Sequence, residues 1–199
     1  MTENPLAKRL RHHSLILASG SPRRKKFFED LGLDFEVRLK PVDEVYPDHL
    51  KGAEISDYLA VLKASVLKAS LTPDEILITS DTVVWHNGES LAKPATPEEA
   101  LKMLQKLADG WHDVITSVCF TTTKTQQTVN AVTKVKFTQL TETELRYYIE
   151  QFGPFDKAGA YGIQEWIGAI GIEAIEGAYN TVVGLPTHLV YKTLMDMVP

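Results

Sequence analysis

The chain has 199 residues, a formal charge of −5 at pH 7, 44% hydrophobic and 24% charged residues, and one cysteine. This is the composition of a globular protein long enough to bury a substantial core, and its acidic balance argues against a protein that coats nucleic acid nonspecifically. No apolar run approaches a membrane span, the N-terminus lacks the features of a signal peptide, and the lone Cys119 can form neither an intrachain disulfide nor a zinc cluster, so a cytoplasmic protein with a buried, inert thiol is expected.

The first strand signal is "SLILAS", followed by Ser21 and Pro22, which read as a helix cap and first helical position. That helix carries Phe27, Phe28 and Leu31 inward and stops at Gly32. "DFEVRLKPVDE" alternates and predicts a strand running into an acidic turn at Asp43 and Glu44. "EISDYLAVLKASVLKASL" predicts a helix with Ile55, Leu59, Leu62, Val66 and Leu67 on one face. "EILITSDTVVWHNGESL" reads as a strand, a polar interruption and a hairpin turning at Asn87-Gly88. "TPEEALKMLQKLADG" and "TETELRYYIEQF" are helices opened by capping boxes at Thr96/Glu99 and Thr141/Glu144. Between them lie two β-rich segments around "KTQQ". A glycine-broken loop, "GPFDKAGAYGIQ", precedes a predicted strand region, "WIGAIGIEAI", and a last helix starts near Pro186.

Strands and helices neither alternate strictly nor segregate, which predicts an α/β (mixed α+β) architecture on a mixed sheet. With no repeat and no Gly/Ser linker, residues 1–199 are expected to form a single domain. Residues 1–14, rich in Lys8, Arg9, Arg11, His12 and His13, are expected to form a frayed basic extension.

Four places invite chemistry. In "SGSPRRKK" the cations Arg23, Arg24, Lys25 and Lys26 sit at a helix start, where the dipole opposes positive charge, and a bound anion such as phosphate would reverse that cost. The alternative is a solvated basic face. In "ITSDTVVW", Asp81 lies among residues that should be buried, where a carboxylate wants a metal or a cation unless it bonds turn backbone. Lys63 and Lys93 gain meaning only if they converge with Asp81 and Arg23. The loop "DKAGAYGIQ" approaches a ligand closely through its glycines and offers the Gln164 amide as donor and acceptor for a base edge.

In order along the chain, "LASGSPRR", "LAVLKA", "SDTVV", "LAKP", "HDVITSV", "DKAGAYGIQ" and "YNTVVGLP" resemble the Maf family of nucleoside triphosphate pyrophosphatases, from about Leu15 to the C-terminus. The loop "DKAGAYGIQ" resembles the branch acting on dTTP and UTP rather than its sister acting on 7-methyl-GTP. The resemblance implies hydrolysis of a nucleoside triphosphate to monophosphate and pyrophosphate with Mg²⁺ or Mn²⁺, a homodimer, and a two-lobed fold on an elongated mixed sheet, similar to that of the inosine triphosphate pyrophosphatases. It implies that Asp81 is the proton acceptor and that Arg23, Thr82 and Gln164 govern substrate choice, with Ser21, Arg24, Glu44, Lys63 and Lys93 at other site positions. Glu44 is the expected metal ligand, and Asp81 is either the base or a second ligand. The competing readings are a 7-methyl-GTP or broad-specificity pyrophosphatase, and a nucleotide-sensing regulator of cell division without turnover. A nucleic-acid-binding module is disfavoured by the acidic charge.

Overall fold

A computed structural model describes residues 3–198, and their elements follow in chain order. They are α1 (Pro5–Leu10), β1 (Ser14–Leu17), α2 (Pro22–Asp30), β2 (Glu36–Val37), α3 (Ala53–Lys68), β3 (Glu75–His86), β4 (Glu89–Leu91) and α4 (Pro97–Leu107). Then come β5 (Trp111–Thr121), β6 (Gln126–Phe137), α5 (Glu142–Phe152), two short 3₁₀ turns, α6 (Trp166–Gly171), β7 (Ile172–Glu176), α7 (Tyr179–Val183) and α8 (Thr187–Met197). The strands join one mixed seven-stranded sheet in the order β2-β1-β3-β5-β6-β7, with β4 also on β3. The mixed α/β class expected from the sequence is therefore what the chain adopts.

Local signals explain most of these elements. Ser21 caps α2 by accepting from the Arg24 N–H, Thr96 does the same for α4, and Thr141 and Glu144 close a full capping box on α5. Asn87 and Gly88 both take positive φ, as a tight two-residue hairpin between β3 and β4 requires. Cys119 is buried.

The long strand β3 organises the molecule. Its first half pairs in parallel with β1 as far as Ile78, and its last residues pair with β4 from Val84 to His86. β1 and β4 occupy the same edge of β3, so a gap opens there at Thr79–Val83. The predicted polar interruption is thus a break in the neighbouring strands, while β3 itself continues without interruption. Because side chains alternate across a strand, Ser80, Thr82 and Val84 face one side of the sheet, and Thr79, Asp81 and Val83 face the other.

On the first face the core divides in two. One half gathers Leu15, Leu17, Ile76, Ile78, Val118 and Phe120 with α1, α2 and α8, and the other gathers Val84, Val114, Val135 and Phe137 with α4, α5 and the loop after it. The rung Thr82–Thr116 lies between them, with the two hydroxyls 2.9 Å apart. The opposite face is covered by α3, which buries Ile55, Leu59, Ala60, Ala64 and Leu67. Two apolar halves on one sheet, with polar side chains at their seam, place the cleft.

Three expectations are corrected. The basic N-terminal segment is not frayed over its described residues 3–14: Asn4 caps α1, Leu6 and Leu10 are buried, and Arg9 Nη1 donates to the carbonyls of Met195 and Val198 at 2.7 and 2.8 Å. Its two leucines complete the apolar cluster beside α8, a role that its basic composition hides. "WIGAIGIEAI" is half helix, because the Glu165 carbonyl accepts from Gly168 and Ala169 N–H and starts α6 before β7 begins. "DFEVRLKPVDE" contributes only Glu36–Val37 as strand, paired at the sheet edge with Ile16 and Leu17.

Candidate active site

The gap beside β3 is the floor of a cleft lined by Ser21, Arg23, Arg24, Lys63, Asp81, Thr82, Lys93 and Gln164. Glu44 lies in the adjoining groove, which shares Arg23, Arg24, Lys63 and Lys93 with the cleft. The sequence candidates, drawn from α2, α3, β3 and three loops, therefore converge on one place.

At one end stands the start of α2. Its cation run divides by helical geometry: Arg23 and Arg24 reach the cleft, whereas Lys26 pairs with Asp30 at 2.7 Å on the outer face. Arg24 is part-buried and fully engaged. Its Nε donates to Gly184 O at 2.8 Å, Nη1 to Ser80 O at 2.9 Å and Nη2 to Thr82 Oγ1 at 3.1 Å. The guanidinium thus supplies a donor to the open edge of β3 where a strand is missing. Burial pulls its pKa down and the nearby Asp81 charge pushes it back up, with the net shift downward. Thr82 donates in turn to Thr116 Oγ1, which donates to Thr181 O at 2.8 Å. The Thr82 hydroxyl therefore orients Arg24.

Backbone N–H groups contribute less here than the sequence suggests. Pro22 has none, Ser21 N–H goes to Ser19 Oγ at 3.2 Å, and Arg24 N–H goes to Ser21 Oγ at 3.4 Å. The positive charge at this end is carried by arginine and lysine side chains.

At the centre, Lys63 Nζ reaches down from α3 between two carboxylates, Asp81 Oδ1 at 2.6 Å and Glu44 Oε1 at 3.1 Å. Asp81 is largely buried while Asp81 Oδ2 has no hydrogen bond to protein among the described residues, which leaves it open to the cleft. Burial pushes the Glu44 carboxyl up, but Lys63, Lys93 and Arg24 together hold it below the usual range. Among the described residues no group of three His, Cys, Asp or Glu converges as a preformed metal cage. Asp81 and Glu44, both paired to Lys63, are hard oxygen donors of the kind a divalent cation takes.

The loop Asp156–Gln164 starts beside Arg23 and lines the cleft together with Val84, Val114, Val182 and Val183. Gly159 adopts φ +67°, and an added Cβ would meet Val84 Cγ1 at 3.0 Å, so glycine is what lets the backbone lie on the valine. Gln164 is exposed at the mouth. Several neighbours of this loop carry no distinguishing signal of their own in the sequence. Asp156 receives Arg23 at 3.2 Å and Lys157 at 2.7 Å, and these cations outweigh burial to hold its pKa down. Lys157 is buried, as is Tyr161, whose hydroxyl lies 2.8 Å from Nε2 of the buried His112. The adjacent "DK" in the motif was the available signal for the first two, and only the fold brings His112 to the third.

Residues 14–197 match the family described as Maf-like protein. The chain is 55% identical over 188 residues to a dTTP/UTP pyrophosphatase of Christiangramia forsetii, covering 94% of this chain and 96% of that one. It is 50% identical over 193 residues to a dTTP/UTP pyrophosphatase of Flavobacterium johnsoniae, covering 97% and 100%. Among solved structures, a nucleoside-triphosphatase / dITP/XTP pyrophosphatase of Mycobacterium abscessus is similar with 15% identity and a TM-score of 0.43, covering 92% of this chain and 95% of that one.

Proposed function

Since the chain belongs to the Maf family, we propose that it is a nucleoside triphosphate pyrophosphatase that hydrolyses dTTP and UTP to the monophosphate and pyrophosphate. The observation that carries this reading is one cleft lined by Arg23, Lys63 and Lys93 together with the buried carboxylate of Asp81, which Lys63 contacts at 2.6 Å. A buried carboxylate with one oxygen held by lysine and the other without a protein partner among the described residues is placed to take a proton from water, which hydrolysis needs and binding alone does not.

The chain's own groups divide the work. Arg23 and Lys93 draw the polyphosphate into the cleft, and Arg24, fixed by Ser80, Thr82 and Gly184, presents a preorganised charge near it. Lys63 donates to Asp81 Oδ1 and holds the carboxylate so that Oδ2 faces the cleft, where it accepts the proton of a water attacking the α-phosphorus. The α–β anhydride bond then breaks, and pyrophosphate leaves with the electron pair, its charge met by the surrounding lysines and arginines. With Asp81 as the base, Glu44 would hold a Mg²⁺ or Mn²⁺ ion together with the substrate, and the ion when bound would supply charge neutralisation to the phosphate oxygens. The valine walls accept a flat ring, and the Gln164 amide pairs with the uracil or thymine edge. A cytoplasmic, homodimeric enzyme that keeps unwanted nucleotides out of nucleic acid completes the proposal.

Pyrophosphate release from dTTP, UTP, CTP, GTP and 7-methyl-GTP with Mg²⁺ or Mn²⁺ tests it. Release is expected from dTTP and UTP above the others. Preference for 7-methyl-GTP would assign the chain to the sister activity, and tight binding of dTTP without release would assign it to sensing.

A further inference from the structure

Gln164 sits in a turn whose two ends are held by one phenol. The backbone of Glu165 donates to Gly162 O at 3.0 Å, closing a four-residue turn with Gln164 in its third position. Tyr148 of α5, wholly buried in the core, accepts from Gly162 N–H at 3.0 Å and donates its own proton to Glu165 Oε2. The other carboxylate oxygen of Glu165 receives the buried Lys157 Nζ at 3.1 Å. Burial raises the Tyr148 pKa and Glu165 raises it further, so the phenol keeps its proton for this bond. A Cβ at Gly162 would come within 2.8 Å of Glu165 Cδ and 3.0 Å of Gln164 Nε2, so the turn is packed against itself as well as bonded.

A glutamate largely but not wholly withdrawn from water, with 19% of its side chain exposed, beside a buried lysine and tyrosine is a costly way to hold a surface turn, because an apolar contact would do it without desolvating charges. The charged arrangement provides direction: it holds both ends of the turn around Gln164 while the Gln164 amide has no protein partner among the described residues. We propose that Glu165, gripped by Tyr148 and Lys157, is a positioning residue that aims the Gln164 amide at the nucleobase, so that base selectivity depends on this buried network behind the cleft. This deepens the function proposed above and rests on it.

Two mild variants test the inference, Tyr148→Phe, which removes one oxygen and keeps the ring, and Glu165→Gln, which keeps the shape and removes the charge. Each is compared with the native chain on dTTP, UTP, CTP and the base-free methyl triphosphate. The expected result is a loss of about tenfold to a hundredfold in kcat/KM for dTTP and UTP, carried mainly by KM, with the preference over CTP narrowed by a similar factor. Turnover of methyl triphosphate should stay within about threefold, since neither side chain contacts Asp81, Lys63 or Arg24 and Asp156 still holds both Lys157 and Arg23. Equal losses on dTTP and methyl triphosphate, or an unchanged dTTP-to-CTP ratio, would overturn the proposal. Amide exchange supplies a readout independent of turnover: the Gly162 N–H should exchange at least about tenfold faster in Tyr148→Phe, and unchanged exchange would also overturn it. A native chain that releases pyrophosphate from no nucleoside triphosphate would defeat the functional reading instead. Exchange at Gly162, together with relative binding of dTTP and dCTP to native and variant chains, would then decide the positioning role.

Discussion

Lys63 Nζ stands 2.6 Å from Asp81 Oδ1, with both side chains largely withdrawn from water at 14% and 9% exposure. Removing one partner of such a pair leaves a buried charge uncompensated. Lys63→Met is therefore expected to cost about 3–5 kcal/mol in urea unfolding and to abolish pyrophosphate release. The double variant Lys63→Met/Asp81→Asn should recover a large part of that stability and none of the activity. Recovery of activity in the double variant would show that the pair is structural only.

The fork of Arg24 predicts a different failure. Lysine at position 24 offers its donors from a single nitrogen and cannot span Gly184 O, Ser80 O and Thr82 Oγ1 together. Arg24→Lys keeps the charge, yet it should lose about 1–3 kcal/mol of stability for the carbonyl left unpaired, along with most of kcat. Urea unfolding beside steady-state rates checks both, and an Arg24→Lys chain with native kcat would remove Arg24 from the account.

These two sites also mark what the sequence discloses. Asp81, Arg24 and Gln164 are chemically conspicuous where they stand: a carboxylate among valines, an arginine against a helix dipole, an amide in a glycine loop; Lys63 gains its meaning only from the fold that sets it on Asp81. The caps at Ser21, Thr96 and Thr141 and the Asn87-Gly88 turn are equally legible, because their signals are local. Glu165 and Tyr148 are not, since one follows a loop and the other looks like an ordinary core aromatic until α5 is packed beneath that loop. The helix Trp166–Gly171 escapes notice because Ile-Gly-Ala-Ile-Gly suits a buried strand as well. What decides against the strand is the close approach of Gly168 to the Ile163 carbonyl, where a Cβ would meet the oxygen at 1.8 Å.

The N-terminal helix provides a test of packing. Leu6 is fully buried against the cluster that contains α8. Leu6→Ala is expected to destabilise the chain by about 2–5 kcal/mol in urea, against nearly nothing for a frayed tail. A change below about 0.5 kcal/mol would contradict the docking of α1.

His112 predicts the acid behaviour. Burial, with a smaller contribution from His86, depresses its pKa to about 3. A histidine whose folded pKa lies below its unfolded value binds protons more readily when unfolded. Stability from this group is therefore complete above about pH 6.5 and falls as the pH drops from there toward about 3. Between pH 7 and pH 5 the native chain should lose about 2 kcal/mol more than His112→Gln does in parallel urea titrations. Identical losses in the two chains would rule out His112 as the source.

The most direct test of the account is hydrolysis of dTTP in ¹⁸O-labelled water by the native chain and by Asp81→Asn, with every phosphorus product analysed for label. Attack at the α-phosphorus predicts ¹⁸O in dTMP, unlabelled pyrophosphate and no orthophosphate, with a rate that falls about a hundredfold to ten-thousandfold in the variant. Label in orthophosphate or pyrophosphate, or an unimpaired Asp81→Asn chain, would contradict it.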